Sequence, residues 1–254
     1  MKERIVLACS GGPATRAAIP WLAKQHDAEI VTVTVDLGQN GELDEIRARA
    51  LEAGAVRAHV LDLRDEFARD FILPALQSAA RHDGRFPKGL ARSVIGKALV
   101  EIAAIEHANA VVYGCREAGH GEPSDEPSIG AAVRALNPEL RVLEPVPSRN
   151  QVETVTKAPS HAPDREAYVE ISFDAGVPTA INGVSMRLAE VLESLSTIAG
   201  DHGVGSRATD DAPSIVVLLA AYRELRKRDH GVICVKLFKG VCTIVGLAQS
   251  VQGQ

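Results

Sequence analysis

Arg4 to Arg16 reads RIVLACSGGPATR, and TVDLGQ follows at Thr34 to Gln39. Arg4 to Cys9 is a short apolar run closed by a glycine pair, the profile of a buried strand. Ser10, Gly11 and Gly12 make a turn whose tightness demands small residues. From Ala14 the period changes: Ala17, Ala18, Trp21 and Leu22 recur at helical spacing, with Pro20 as the one interruption. A strand, a glycine turn and a helix start form an anion cradle, because backbone N–H groups point outward there and the helix dipole favours negative charge. An ordinary βα turn has the same outline, so the pattern alone leaves phosphate binding and a purely structural turn both open.

The same alternation continues beyond this unit. Glu29 to Val35 (EIVTVTV) is β-branched and continuous, as a strand buried on both faces should be. Gly41 to Leu51 reads as a helix ended by Gly54, and Ala55 to Leu61 as a third strand. Asp62 to Ala80 predicts a long amphipathic helix interrupted near Pro74, and Leu90 to His107 another helix. Asn109 to Tyr113 is a fourth strand, Ile129 to Leu136 a short helix and Arg141 to Leu143 a brief fifth strand. Strands alternating with helices predict an α/β fold, a twisted parallel sheet with helices on both faces. Ligands in such sheets bind at the carboxyl ends of the strands, here Cys9–Gly12, Val35–Gln39 and Tyr113–Gly119.

Composition shifts at Pro145. Pro145 to Pro163 (PVPSRNQVETVTKAPSHAP) holds four prolines and reads as a linker. The expected organisation is 1–145 as an α/β domain, 146–166 as linker and 167–254 as a reduced α+β domain. In the last, Tyr168 to Phe173 pairs with Val177 to Ile181. Val184 to Ala199, stopped by Gly200, and Ser214 to Arg228 are helices. Val232 to Phe238 and Val241 to Leu247 form a hairpin around Lys239-Gly240. The cations Arg223, Arg226, Lys227 and Arg228 suit a solvated helix end; a basic patch is the other reading.

The 254 residues are 46% hydrophobic with a formal net charge of -5, so nothing in the bulk charge attracts nucleic acid or an anionic membrane. The four cysteines form no CxxC pair, which fits a reducing compartment and buried thiols. No signal peptide or membrane span is read, and a cytoplasmic location is the expectation.

ACSGGPAT, TVDLGQ, DLRDEFARDFILPAL, LVEIA, YVEISFDAGVPTAING, IAGDHGVG and VKLFKGVCTIVG succeed one another in the order found in argininosuccinate synthases. The chain from Ile5 to Gly246 resembles that family with pieces removed. The resemblance implies an N-type ATP pyrophosphatase fold, of the adenine nucleotide alpha hydrolase kind, plus a smaller α+β domain. It implies ATP, with Mg²⁺, and a reaction in which citrulline is adenylated, pyrophosphate released and AMP displaced by aspartate. It also implies a homo-oligomer, through the retained VKLFKGVCTIVG tail.

Carried over residue by residue, the resemblance assigns the nucleotide to Ala8, Ser10, Gly11, Gly12, Thr15 and Arg16, with the Val35 backbone against adenine and Gly114 as a further contact. The family pattern after the glycines is Leu-Asp-Thr-Ser, where this chain has Pro13, Ala14, Thr15 and Arg16. Arg16 could grip a phosphate bidentately and stand in for metal charge, or lie over an empty loop and pair with a carboxylate. The citrulline-binding Tyr-Leu-Leu-Gly-Thr-Ser becomes Phe86 to Leu90, and the aspartate-binding Gly-Ala-Thr-Gly-Lys-Gly-Asn-Asp becomes Gly114 to Gly121 with its threonine, lysine, asparagine and aspartate gone. The segment with the citrulline serines, near Thr156 to Pro163, and a block between Gly205 and Ser214 are missing. Removing a polar substrate's buried partners costs roughly 1–3 kcal/mol each.

The expectation is therefore an ATP-dependent ligase that adenylates a different small molecule, a carboxylate or ureido-type substrate. Phe86, Arg92, Arg116 and Glu117 are the candidate pocket residues, with Lys88 facing them, and Arg16 and His120 are the candidate catalytic groups; Arg92 and Lys97 either sit near phosphate or carboxylate or form the polar face of their helix. His120 suits proton transfer near neutral pH; a surface histidine between glycines is the plain alternative. A non-catalytic nucleotide-binding regulator or partner subunit, and argininosuccinate synthase itself, are the other two readings.

Overall fold

The computed structural model describes residues 2–39, 42–82, 84–87, 89–116, 128–143, 146–147, 163–205, 212–225 and 228–248, apart from the side chains of 115, 116, 146, 147 and 248. The chain divides into two compact units, Met1–Leu63 with Lys88–Thr154 and Arg64–Pro87 with Val155–Gln254.

The first unit holds β1 (Glu3–Ala8), α1 (Pro13–His26), β2 (Ala28–Asp36), α2 (Leu43–Glu52) and β3 (Arg57–Asp62). Its main sheet is parallel, in the order β3-β2-β1 followed by Ala110–Val112 and Arg141–Val142. Ile5, Leu7, Ile30 and Val112 pack on one face with Ile19 and Leu22 of α1. Val6, Val31, Val33 and Val111 pack on the other with Leu99 and Ile102. Covering both faces accounts for strands that read as unbroken apolar runs. Pro20 sits inside α1 on its exposed side, where losing one helical hydrogen bond is tolerated.

Leu99 and Ile102 belong to the long helix Leu90–Ile105, which crosses Ile129–Leu136 very closely. A Cβ on Gly96 would stand 2.7 Å from Ala132 Cβ and 3.3 Å from the Ile129 carbonyl oxygen. At the amino edge of the sheet, Glu106 has no exposed surface. Its carboxylate accepts from Arg4 Nη1 at 3.1 Å and Arg57 Nη1 at 3.0 Å, and lies 2.8 Å from His59 Nε2. Burial raises its pKa, but the hydrogen bonds from His59 and Arg57 and their charges outweigh this and hold the group below its ordinary value.

The second unit is built on an antiparallel sheet of Val184–Ser185, Val177–Ile181, Ala167–Asp174, Gly231–Phe238 and Val241–Ala248, adjacent in that order. Residues of Gly231–Phe238 alternate strictly between buried and half-buried, as a sheet covered on one face requires. The helices Leu188–Asp201 and Pro213–Leu225 bring Leu195 and Leu218 into that unit's buried interior.

Four sequence expectations are corrected. Val184-Ser185 is strand rather than helix, because Asn182 and Gly183 both have positive φ and fold it back on Ile181 and Ala180. Gly200 lies inside its helix, which runs on to Asp201 before Gly203 turns the chain with φ +77°. The helix expected over 62–80 is Arg64–Phe67, a π turn Ala68–Ile72 and Leu73–Arg81. The wide turn stands just before Pro74, which has no N–H to give and whose ring crowds the preceding turn. Finally, this helical segment, placed by sequence order with 1–145, is counted with the second unit. There Leu73–Arg81 packs on Pro213–Leu225, and Gln77 Nε2 donates to the Gly176 carbonyl at 3.1 Å.

Candidate functional site

In the first unit's sheet the strand order reverses between β1 and Ala110–Val112, the kind of switch point beside which open α/β sheets bind ligands. The chain leaves β1 through Cys9, buried and donating its N–H to the Val33 carbonyl at 2.8 Å. Ser10 is exposed, Gly11 has φ +78°, and Gly12 is the extended N-cap of α1. Gly11 must be glycine on two counts: a side chain would strain its backbone, and a Cβ would lie 2.5 Å from Ile46 Cγ1 of α2. On the other side the loop is open, since a Cβ on Gly12 would meet only Ser10 Oγ at 3.7 Å.

Helix α1 starts without a side-chain cap and with no acidic residue in its first turn. Pro13 occupies N1, where the lost N–H costs nothing, so the amides of Ala14 and Thr15 make no intrahelical bond. Thr15 is buried, and its Oγ1 donates to the Gly12 carbonyl at 2.9 Å, so this hydroxyl braces the loop. The Arg16 N–H closes the first helical bond on Gly12 at 3.2 Å, while its side chain is exposed beside the loop. Uncapped amides, a cation and no carboxylate together attract anions.

The neighbouring strand end is more ordered than the sequence suggests. In β2 the carbonyls of Val33 and Val35 point towards β1, and that of Asp36 points the other way, accepting the Leu63 N–H at 3.0 Å. Beyond Cys9, β1 supplies no further donor, and the Val35 carbonyl instead accepts Gln39 Nε2 at 2.6 Å. The Leu37 N–H donates to Gln39 Oε1 at 2.7 Å, and Asp36, buried, accepts the Gly38 N–H through Oδ1 at 2.9 Å. In the sequence Gln39 stands only as part of the TVDLGQ motif and Ile46 only as an apolar helix position. The signal for Gln39 is an amide two to four residues past a strand end, within reach of its last backbone groups.

Ala8, Ser10, Gly11, Gly12, Thr15, Arg16, Val35 and Gly114 thus all lie at the carboxyl edge of three adjacent strands. Gly114 is exposed with φ +67° and has nothing within 4 Å of where a Cβ would be. Arg92 lies half-buried in the first turn of Leu90–Ile105, its N–H on the Gly89 carbonyl at 2.9 Å, and Lys97 Nζ is 3.8 Å from Glu101. Phe86 falls in the second unit, half-buried, two residues past Gly84, whose carbonyl accepts from Arg223. Lys88, Glu117, His120 and the Arg116 side chain lie outside the described residues, as do residues 148–162 of the expected linker. Among the described residues no group of three or more His, Cys, Asp or Glu could hold a metal, and no helix is long and apolar enough to cross a membrane.

Residues 4–165 match the model of the arginosuccinate synthase N-terminal HUP domain, and residues 128–227 that of the arginosuccinate synthase C-terminal domain. The chain belongs to the argininosuccinate synthase family. The argininosuccinate synthases of Streptococcus thermophilus and Synechococcus elongatus are 32% and 33% identical to it, over 88% of this chain and 71% of theirs. These alignments run over 289 positions, more than the 254 residues of the chain, so the relatives carry residues where this family member has none. The parallel sheet with helices on both faces and the smaller antiparallel unit give it the fold of an ATP-utilising ligase family.

Proposed function

We propose that this member of the argininosuccinate synthase family is an ATP-dependent ligase that adenylates a carboxylate or ureido-type substrate and releases pyrophosphate, without using citrulline and aspartate. The carrying observation is the open, uncapped start of α1 behind Ser10-Gly11-Gly12. The amides of Gly11, Gly12, Ala14 and Thr15 are available to phosphate oxygens, Arg16 adds a positive charge, and Thr15 and Ile46 hold the loop in shape. The Val35 and Leu37 backbone serves as the base-reading edge, and Gly114 leaves open space beside it.

Chemically, oxygen of the substrate attacks the α-phosphorus, the α–β bridge bond breaks, and the charge that gathers on pyrophosphate is met by the loop amides and Arg16. Mg²⁺ would arrive on the triphosphate and supply further charge neutralisation. The loop offers it no carboxylate, since Ala14 replaces the family's acidic residue, and Arg16 carries part of that role instead. The rewritten stretch from Gly114 to Gly121, with Arg116, Glu117 and His120, and the segments that the relatives have and this chain lacks, support a changed acceptor.

Pyrophosphate release with ATP, across a panel of amino and carboxylic acids, tests this reading. Release with at least one acid, and none above background with citrulline plus aspartate, is expected. Argininosuccinate formed from citrulline and aspartate would overturn it. ATP binding without release for any acid would favour the non-catalytic reading, which the missing loop carboxylate supports.

A further inference from the structure

Both hydrogen bonds of the Gln39 side chain go to one short piece of backbone, the Val35 carbonyl and the Leu37 N–H. This fixes the orientation of the amide, because the N–H can only meet Oε1 and the carbonyl can only meet Nε2. The result is a planar pair on one sp² carbon, a donor facing Val35 and an acceptor facing Leu37. The Watson–Crick edge of a 6-aminopurine has the same arrangement: its exocyclic N6 donates and its ring N1 accepts, both attached to C6. We infer that the Gln39 amide is an internal stand-in for the 6-aminopurine edge, so that it reports the base specificity of the site and must swing away before that base can dock. The inference rests on the proposed ATP-dependent function and adds to it the residue that competes for the base's place.

The competition is strict at one atom. A carbonyl oxygen has two lone pairs and can take a second donor, but Leu37 N–H makes one bond only. Both hydrogen bonds are exposed, so breaking them costs little and the amide can leave without disturbing the core. The strand carrying Val35 stays anchored by Asp36, whose carbonyl holds Leu63 and whose carboxylate holds Gly38. Guanine reverses the pattern at C6 and N1, setting an acceptor against the Val35 carbonyl and a donor against the Leu37 N–H. The same backbone edge that accommodates Gln39 therefore rejects it.

The test compares wild type with Gln39→Met, which keeps bulk but can make neither bond, in calorimetric titrations with nonhydrolysable ATP and GTP analogues. Tighter binding of the ATP analogue to the variant, by roughly three- to tenfold, with no gain for the GTP analogue, is expected. Unchanged or weaker ATP-analogue binding in Gln39→Met, while wild type binds, would overturn the inference and leave the nucleotide function standing. Binding by the variant alone would support both, and binding by neither would remove both. A second readout uses the ¹⁵N-labelled side-chain amide of Gln39. Saturation with adenosine should move its resonances to those of a free glutamine, and resonances that stay put would contradict the displacement.

Discussion

At the scale of single residues, the buried Glu106 gives the fold a pH dependence. Its folded-state pKa lies below the ordinary 4.5, so its contribution is complete above about that pH and is lost as pH falls through the folded value. Arg4 and Arg57 are partly exposed, which limits what a broken pair costs. Glu106→Gln should lower the unfolding free energy at pH 7 by about 1–3 kcal/mol, and the gap to wild type should close as the solution is acidified below pH 4.5. Urea titrations at several pH values check this, and a gap independent of pH would contradict it. None of the network is visible in the sequence, where Arg4, Arg57, His59 and Glu106 stand far apart. The Gln39 bonds were equally hidden, because they end on backbone groups that only the end of a ladder leaves without a partner. The phosphate loop was legible: glycines, a small hydroxyl residue and a helix start are consecutive there, and local geometry follows from local sequence.

Among elements, Leu90–Ile105 crosses Ile129–Leu136 so closely that there is no room for a methyl group at Gly96. Gly96→Ala would raise helix propensity by up to about 1 kcal/mol. It would also press a methyl group against Ala132 and the Ile129 carbonyl. Overpacking of that kind costs roughly 1–3 kcal/mol, so the variant should melt below wild type, and double substitution with Ala132→Gly should recover part of the loss. Thermal denaturation of the three variants decides it; a Gly96→Ala protein more stable than wild type would show that the helices part freely. Elements with one strong period, such as Ile129–Leu136 and the strand pair ending the second unit, were read from the sequence within a residue or two. The short strand Val184–Ser185 was missed because a two-residue run carries no periodicity. The Asn182-Gly183 turn is a hairpin signal in its own right, but the helical pattern that follows it runs over the strand it begins. The sequence marks the π turn before Pro74 as an interruption but not as a wider helical turn, since proline marks where a ladder fails and not how the backbone adjusts.

For the whole molecule, the alternation of strands and helices disclosed the parallel sheet, and the ordered family blocks disclosed the kinship. The division into units was less legible, because Arg64–Pro87 is joined to the rest of its unit by contacts distant in sequence, such as Gln77 with Gly176. What connects all scales is the loop after β1: Gly11 needs its positive φ, α2 backs it with Ile46, and the strand order opens the sheet beside it. The most direct test of the account is calorimetric titration of the wild-type protein and Gly11→Ala with a nonhydrolysable ATP analogue and Mg²⁺. The account predicts saturable binding to wild type at submillimolar ligand, weakened roughly five- to 150-fold in Gly11→Ala by about 1–3 kcal/mol of backbone strain and the clash with Ile46. No binding to wild type at millimolar analogue, or equal binding to both proteins, would contradict it.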